Sequence, residues 1–424
     1  MRRPRTAIVV TGSELVRGDR DDRNGPFFAR EALALGLEPI RITIVGDGAD
    51  ELEAVLREAV ADSEVCLVSG GLGPTHDDRT VELVAKVVGR ELEVDPDLER
   101  RIEEVSRLIA ERLRRPYADF VPGVRKQASV PEGAVALGPA GTAPGLVVDA
   151  DGCVVVVMPG PPGELRRLWP LARDTEPMRR VLAGIQLPTR HVLRFFGVSE
   201  SAVARALEEA GGDGHGVEAT VCARDFEIHV DLVVEEGATA QGAELAESLR
   251  ASLDRYLFAE DERSVQQLVL EACRARGYRL ATAESCTGGL VAARLTDVPG
   301  ASDVFVGGVV AYADEVKHER LRVPVELLAE HGAVSAEVAA AMAEGARAEL
   351  GADVAVSVTG IAGPDGGSDE KPVGLVFFHA VSPDGEERLQ FELPGAREWI
   401  RSRSAVAALH LVRRLLARTG HDHV

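Results

Sequence analysis

The stretch ATAESCTGGLVAARLT (281–296) sets Ser285, Cys286 and Thr287 side by side, with Gly288 and Gly289 directly behind them. Each of the three side chains could attack an electrophilic carbon once a neighbouring base activates it. A β-rich run precedes the motif and a helical pattern follows it. Glycines at such a junction let a substrate approach the backbone, and the first N–H groups of the helix favour a phosphate or an oxyanion. The same residues would also make an ordinary strand–helix turn capped by Ser or Thr, so partners must decide.

Two downstream segments supply candidates. GGVVAYADEVK (307–317) carries Tyr312 and Lys317 at and just beyond a strand end, and VTGIAGPDGG (358–367) carries Thr359 and Gly360 at another. In parallel α/β sheets ligands bind beyond the carboxyl ends of strands, so these segments should converge on the serine. A desolvated lysine can serve as base and a tyrosine can relay or orient the proton. The rival pair is Cys286 with His318: cysteine is the stronger intrinsic nucleophile, but it is also a small residue often buried and inert. Spacing leaves both open.

A second glycine-rich loop, SGGLGPTHDDRT (69–80), follows an apolar run near the amino terminus. Gly70, Gly71 and Gly73 could present N–H groups to a phosphate, with Thr75 and Thr80 beside them. Asp77 and Asp78 would repel that phosphate unless a divalent cation lay between, as is usual for magnesium-like ions. An acidic helix start is the plainer alternative.

The elements that must position these residues read as three segments. Residues 1–185 alternate strand-like runs (6–10, 38–47, 64–69, 145–149, 153–158) with helical ones, the pattern of a parallel α/β sheet. Residues 186–260 read as a small α+β module with a hairpin at 217–236, and carry no evident chemistry; a spacer or dimerisation role is the expectation. The α/β pattern restarts in 261–424, with a helix at 264–276, strands at 278–283, 304–313, 353–360 and 374–381, and helices at 288–296, 335–349 and 397–418. The closing HDHV reads as a frayed tail rather than a metal site.

Composition narrows the class. Against 48 Lys and Arg stand 69 Asp and Glu, a formal charge of −21, which disfavours nonspecific binding to nucleic acid or anionic lipid. Five scattered cysteines form neither a disulfide framework nor a zinc motif, which suits a reducing cytoplasm. No apolar run approaches the ~20 residues of a membrane span.

The ordered motifs AESCTGG, VPGASDVFVGGVVAYADEVK, GAVS, SVTGIAGPDGG, KPVGLV and GAREWIRSRSA, between 283 and 405, resemble the nicotinamide-nucleotide amidase domain of the CinA family. TGSELVRG (11–18), GGLGPTHDDRT, GTAPGL (141–146) and MPGPPGEL (158–165) resemble that family's molybdopterin-binding-like, three-layer α/β amino-terminal domain. The resemblance implies a cytoplasmic bacterial hydrolase of pyridine-nucleotide recycling, expected as a homodimer. Its C-terminal domain would convert nicotinamide mononucleotide to nicotinate mononucleotide and ammonia without a cofactor. Ser285 would be the nucleophile, Lys317 and Tyr312 its base system, and Thr359 a holder of the oxyanion. Gly288, Gly289 and Gly360 would line the substrate, and Arg397 or Arg401 would meet its phosphate. On this reading Cys286 packs inward and Thr287 caps the following helix. The amino-terminal domain would be a divalent-metal ADP-ribose pyrophosphatase, with Glu14, Asn24, Gly70, Gly71, Gly73, Thr75 and Thr80 around the nucleotide and Asp47 and Asp78 at the metal.

Three positions depart from the family pattern. Asp47-Gly48 replaces a usual aspartate pair, Pro139 stands where an asparagine is usual, and Tyr312-Ala313-Asp314 replaces Tyr-Ser-Asn. A carboxylate at 314, if close, holds Lys317 as the ammonium and works against its use as a free base. A protein that binds nucleotide or a molybdopterin-type ligand without turnover is the alternative these departures admit.

Overall fold

The computed structural model describes residues 3–185, 187–212 and 214–418. The HDHV tail lies outside the described residues. The chain divides into two compact units, Met1–Pro188 and Thr189–Val424, so the middle module belongs to one body with the C-terminal domain.

The amino-terminal unit is a six-stranded mixed sheet. In spatial order its strands are Glu38–Val45, Arg5–Thr11, Val65–Ser69, Cys153–Met158, Gly145–Ala150 and Val135–Leu137. The first four run parallel and the last two antiparallel. The central runs VCLVS and CVVVVM are buried throughout because apolar clusters cover both faces of the sheet. The segment between residues 88 and 135 holds a helix, Pro96–Leu113, and a two-stranded ribbon of Leu92–Val94 with Ser129–Pro131 that periodicity did not anticipate.

The second unit joins two sheets. In the middle module the strands Val217–Arg224, Glu227–Val234, Thr189–Phe196 and Leu257–Ala259 lie side by side, all antiparallel. Its helices Glu200–Glu209 and Thr239–Leu253 share a core with that sheet. In the C-terminal domain the order is Phe305–Val310, Leu280–Glu284, Val354–Gly360, Leu375–Ser382 and Gly385–Glu392, the first three parallel. The last strand, GEERLQFE, was not anticipated. It is an edge strand that keeps Glu386, Arg388 and Glu392 in solvent, so its sequence reads as loop.

Local signals explain the flanking helices. Ser264 and Gln267 form a reciprocal capping box at the start of Val265–Arg276, and Gly277 ends that helix in the left-handed region (φ 68). The long helix Arg397–Arg418 is buried on every side from Ser404 to Val412. A helix that is apolar all round needs cover on all sides. The sheet supplies one side, and Phe196 and Phe258 of the middle module share the same core. Each fully buried side chain there, such as Leu409 or Leu411, contributes ~1.5–3 kcal/mol. Among the described residues no helix is long and apolar enough to cross a membrane.

Candidate functional site

Ser285 directly follows Leu280–Glu284, the middle of the three parallel strands of the C-terminal sheet. Its N–H donates to the Val358 carbonyl oxygen at 2.9 Å, and the Ala311 N–H donates to the Glu284 carbonyl oxygen at 2.8 Å. The register places Glu284 between Val310 and Val358, so Ser285 stands at one sheet end with Tyr312 on one side and Thr359 on the other. The three motifs separated in sequence therefore meet.

Cys286 is 4% exposed within the apolar core, and burial pushes its thiol up to about 12. Ser285 is buried as well, at 8% exposed, but only Cys286 belongs to the apolar cluster, and a thiol so held stays protonated at neutral pH. The expected capping by Thr287 is corrected: its side chain is fully buried and its hydroxyl is without a partner. The cap comes from Glu284, one residue before the motif, whose buried carboxylate accepts from the N–H groups of Gly289 (2.9 Å), Val291 (3.1 Å) and Ala292 (2.9 Å). The start of helix Leu290–Thr296 is therefore already occupied by a negative charge. Glu284 was missed because a cap reaching forward from the preceding strand depends on Gly288 and Gly289 turning back at φ 60 and 98.

Lys317 is 1% exposed. Its ammonium donates to the Tyr312 carbonyl oxygen and to Asp314 Oδ1, each at 3.2 Å. The carboxylate at position 314 therefore lies against the lysine. Tyr312, by contrast, is 58% exposed, and its hydroxyl accepts from Arg397 Nη2 at 2.7 Å. Arg397 also donates to the Gly363 carbonyl oxygen at 2.7 Å. Arg401 turns inward and donates to the carbonyl oxygens of Cys286 (3.0 Å) and Thr287 (2.9 Å). Thr359 is fully buried, with its hydroxyl donated to the Ala333 carbonyl oxygen at 2.7 Å. Gly360 closes its strand where a Cβ would lie 2.8 Å from the Leu375 carbonyl oxygen. Among the described residues no hydrogen bond joins Ser285 Oγ to Lys317 or Tyr312; such bonds often tighten only around substrate.

The amino-terminal unit holds a cleft of about 740 Å³ at the carboxyl end of its first strand. Glu14 and Asn24 line it, with Ser69, Arg20 and Arg23, which sequence reasoning had not singled out. Asn24 is 6% exposed; its amide donates to Ser69 Oγ (2.8 Å) and the Gly160 carbonyl oxygen (2.7 Å), while its Oδ1 has no partner. That oxygen is itself screened from solvent, an unpaired buried acceptor on a residue that lines the cleft.

The other assigned residues lie outside the lining of that cleft. Gly70 and Gly71 have φ of 109 and 64, and a Cβ there would meet the Thr11 carbonyl oxygen at 2.4 Å and Thr80 Oγ1 at 2.1 Å. These glycines let the loop close on Thr11 and Thr80. Thr80 is fully buried with its hydroxyl unpaired. Gly73 sits against Asp78, whose Oδ2 accepts from both the N–H and the hydroxyl of Thr75. Asp47 accepts from Thr11 Oγ1 (3.0 Å), Ser13 N (2.9 Å) and Ser13 Oγ (2.6 Å), which occupies both its oxygens. Among the described residues no three His, Cys, Asp or Glu side chains converge as a metal-ligand group.

A mixed-sheet α/β domain with a serine on its strand–helix turn, on the same chain as a second α/β domain with a glycine-rich loop, defines a two-part class. Residues 262–416 match the family model described as the CinA C-terminal domain, and residues 7–173 match the probable molybdopterin binding domain. The chain is 46% identical to a CinA-like protein of Mycolicibacterium paratuberculosis, over 97% of this chain and 98% of that one. It is 44% identical to a CinA-like protein of Mycobacterium tuberculosis, over 97% of both. A crystal structure of a competence/damage-inducible protein from Agrobacterium tumefaciens, 37% identical, covers 37% of this chain and 99% of its own, with a TM-score of 0.35. The chain belongs to the CinA family.

Proposed function

We propose that the C-terminal domain is an amidohydrolase that deamidates nicotinamide mononucleotide, with Ser285 as nucleophile. The observation that carries this reading is the convergence of three strand ends at Ser285, which is 8% exposed, while Cys286 packs in the apolar cluster with its thiol pushed up to about 12. Ser285 Oγ would add to the carboxamide carbon, its proton passing toward Lys317 through or beside Tyr312. Ammonia then leaves with a proton from the same base system, and water releases nicotinate mononucleotide from the acyl-serine. Arg397, on the exposed first turn of its helix and bonded to Tyr312 Oη and the Gly363 carbonyl oxygen, suits the substrate phosphate better by its exposure than Arg401, whose donors hold the Cys286–Thr287 turn. Ammonia release by the Ser285→Ala and Cys286→Ala variants tests the assignment: the serine variant should be inactive and the cysteine variant active.

The same reading makes the amino-terminal cleft a nucleotide site, supported by Arg20 and Arg23 in a lining that also carries Glu14, Asp21 and Asp22, a charge balance that suits a cation-bridged phosphate rather than a bare one. ADP-ribose pyrophosphate cleavage there would need a divalent cation held chiefly by substrate phosphates, and Asp78, outside the lining of the cleft, would have to reach it from the neighbouring glycine loop. The unpaired outer edge of strand Phe305–Val310, beside exposed Val310, supports a homodimer. One observation favours a sensor without turnover, the ion pair of Lys317 with Asp314, and the ammonia assay separates the two.

A further inference from the structure

The turn Asp225-Phe226 links the two long strands of the middle module, with Arg224 paired to Glu227 across it. Both turn residues have positive φ, 52 and 67. That is the geometry of a two-residue hairpin turn, in which the second position strongly prefers glycine. A phenylalanine there is a genuine strained outlier, and such strain persists only where the surroundings over-determine it. The surroundings of this ring, which is 36% exposed, are Phe196 of its own module and two residues of the C-terminal domain. The Phe226 ring meets Phe391 edge-on at 5.9 Å and Phe196 at 5.7 Å, and the Arg403 guanidinium lies 5.6 Å from its centroid.

Its neighbours extend the grip. Asp225 Oδ1 accepts from Arg294 at 3.4 Å, and the same Arg294 nitrogen reaches Ser402 Oγ at 3.3 Å. Glu227, 8% exposed, is bonded at 2.7 Å to His410, which is fully buried and stacked on Phe196 at 3.8 Å. The hairpin tip thus touches two helices at once. Arg294 lies on Leu290–Thr296, whose first N–H groups Glu284 holds next to Ser285. Arg403 and His410 lie on Arg397–Arg418, whose Arg401 holds the carbonyl oxygens of Cys286 and Thr287.

We infer that Asp225, Phe226 and Glu227 are positioning residues for the Ser285 site. They clamp the two helices that set the Ser285–Thr287 turn, which makes the middle module a brace of that site rather than a spacer. The catalytic part of this inference rests on Ser285 being the nucleophile; the mechanical part does not.

The test compares the full chain with its Phe226→Gly and Phe226→Tyr variants. Glycine relieves the backbone strain, so the hairpin itself is kept while the docking ring is lost. Two quantities are read: amide hydrogen exchange at Gly289, Val291 and Ala292, and kcat and KM for ammonia release from nicotinamide mononucleotide. Phe226→Gly should speed exchange at those amides several-fold and lower kcat roughly tenfold, with KM changed less than about twofold. Phe226→Tyr, which keeps the ring, should restore both. Wild-type exchange and wild-type kcat in Phe226→Gly would overturn the brace. Faster exchange in a chain whose wild type releases no ammonia would uphold the brace and remove the amidase reading instead.

Discussion

Arg401 holds the carbonyl oxygens of Cys286 and Thr287 at 3.0 and 2.9 Å, so the long C-terminal helix fixes the turn that presents Ser285. Two carbonyls on one guanidinium use the fork geometry of arginine, which an ammonium cannot reproduce. Arg401→Gln should lower kcat about tenfold, the equivalent of ~1.4 kcal/mol at the transition state, and Arg401→Lys should not restore it. Steady-state kinetics of both variants checks this. Full rescue by lysine would show that charge alone matters at position 401.

Thiol chemistry gives a second prediction. Cys66, Cys153, Cys273 and Cys286 are buried, and Cys222 is exposed. Burial raises Cys286 to about 12, so it should resist iodoacetamide at pH 8 in the native chain. Peptide mapping after alkylation should find Cys222 modified and Cys286 not, with deamidation retained. Loss of activity in step with Cys286 labelling would restore the thiol as nucleophile.

The carboxylate beside Lys317 is the clearest local conflict with a free base. Asp314 Oδ1 lies 3.2 Å from the ammonium. Asp314→Asn keeps the size of the side chain and removes its negative charge from beside Lys317 Nζ. The variant should therefore raise kcat/KM at pH 7 several-fold if Lys317 must accept the serine proton. A fall instead would assign Asp314 to orienting the lysine.

His410 carries a pH dependence of stability. Burial first, with Arg413 and Arg414 nearby, lowers it from 6.5 to about 4, against the opposing pull of Glu227. The unfolded chain therefore takes up its proton first. The associated stability is complete above about pH 6.5 and is lost as pH falls toward 4, on the order of 3 kcal/mol in full. Burial pushes the Glu227 carboxyl up, but hydrogen bonds from His229 and His410 hold it below its usual range, which adds a loss at still lower pH. In thermal melts from pH 8 to 4, the advantage of wild type over His410→Gln should shrink steadily below pH 6.5. A constant difference would mean that His410 does not titrate in this window.

Much of the site could be read from sequence because strand ends announce themselves. AESCTGG, AYADEVK and SVTGIAG each follow an apolar run, and the sheet register brings them together. What escaped depends on contacts distant in sequence or on backbone turns. Glu284 reads as the last residue of a strand until the two glycines fold helix N–H groups onto it. Thr287 satisfies the pattern of a cap yet points into the core. GEERLQFE hides a strand because its charged side chains face water. The hairpin tip shows the converse: a phenylalanine where the turn favours glycine was visible in ARDFEI, but its meaning lies in Phe391 and Arg403, over 160 positions away.

The central claim is that Ser285 deamidates nicotinamide mononucleotide. Chromatography of products from purified wild type and Ser285→Ala, incubated with that nucleotide and no added metal, tests it most directly. The account predicts nicotinate mononucleotide and ammonia from wild type, and a rate lower by a factor on the order of 10³ or more from the variant. Equal product from both would contradict the serine mechanism, and none from either would leave the domain a nucleotide binder.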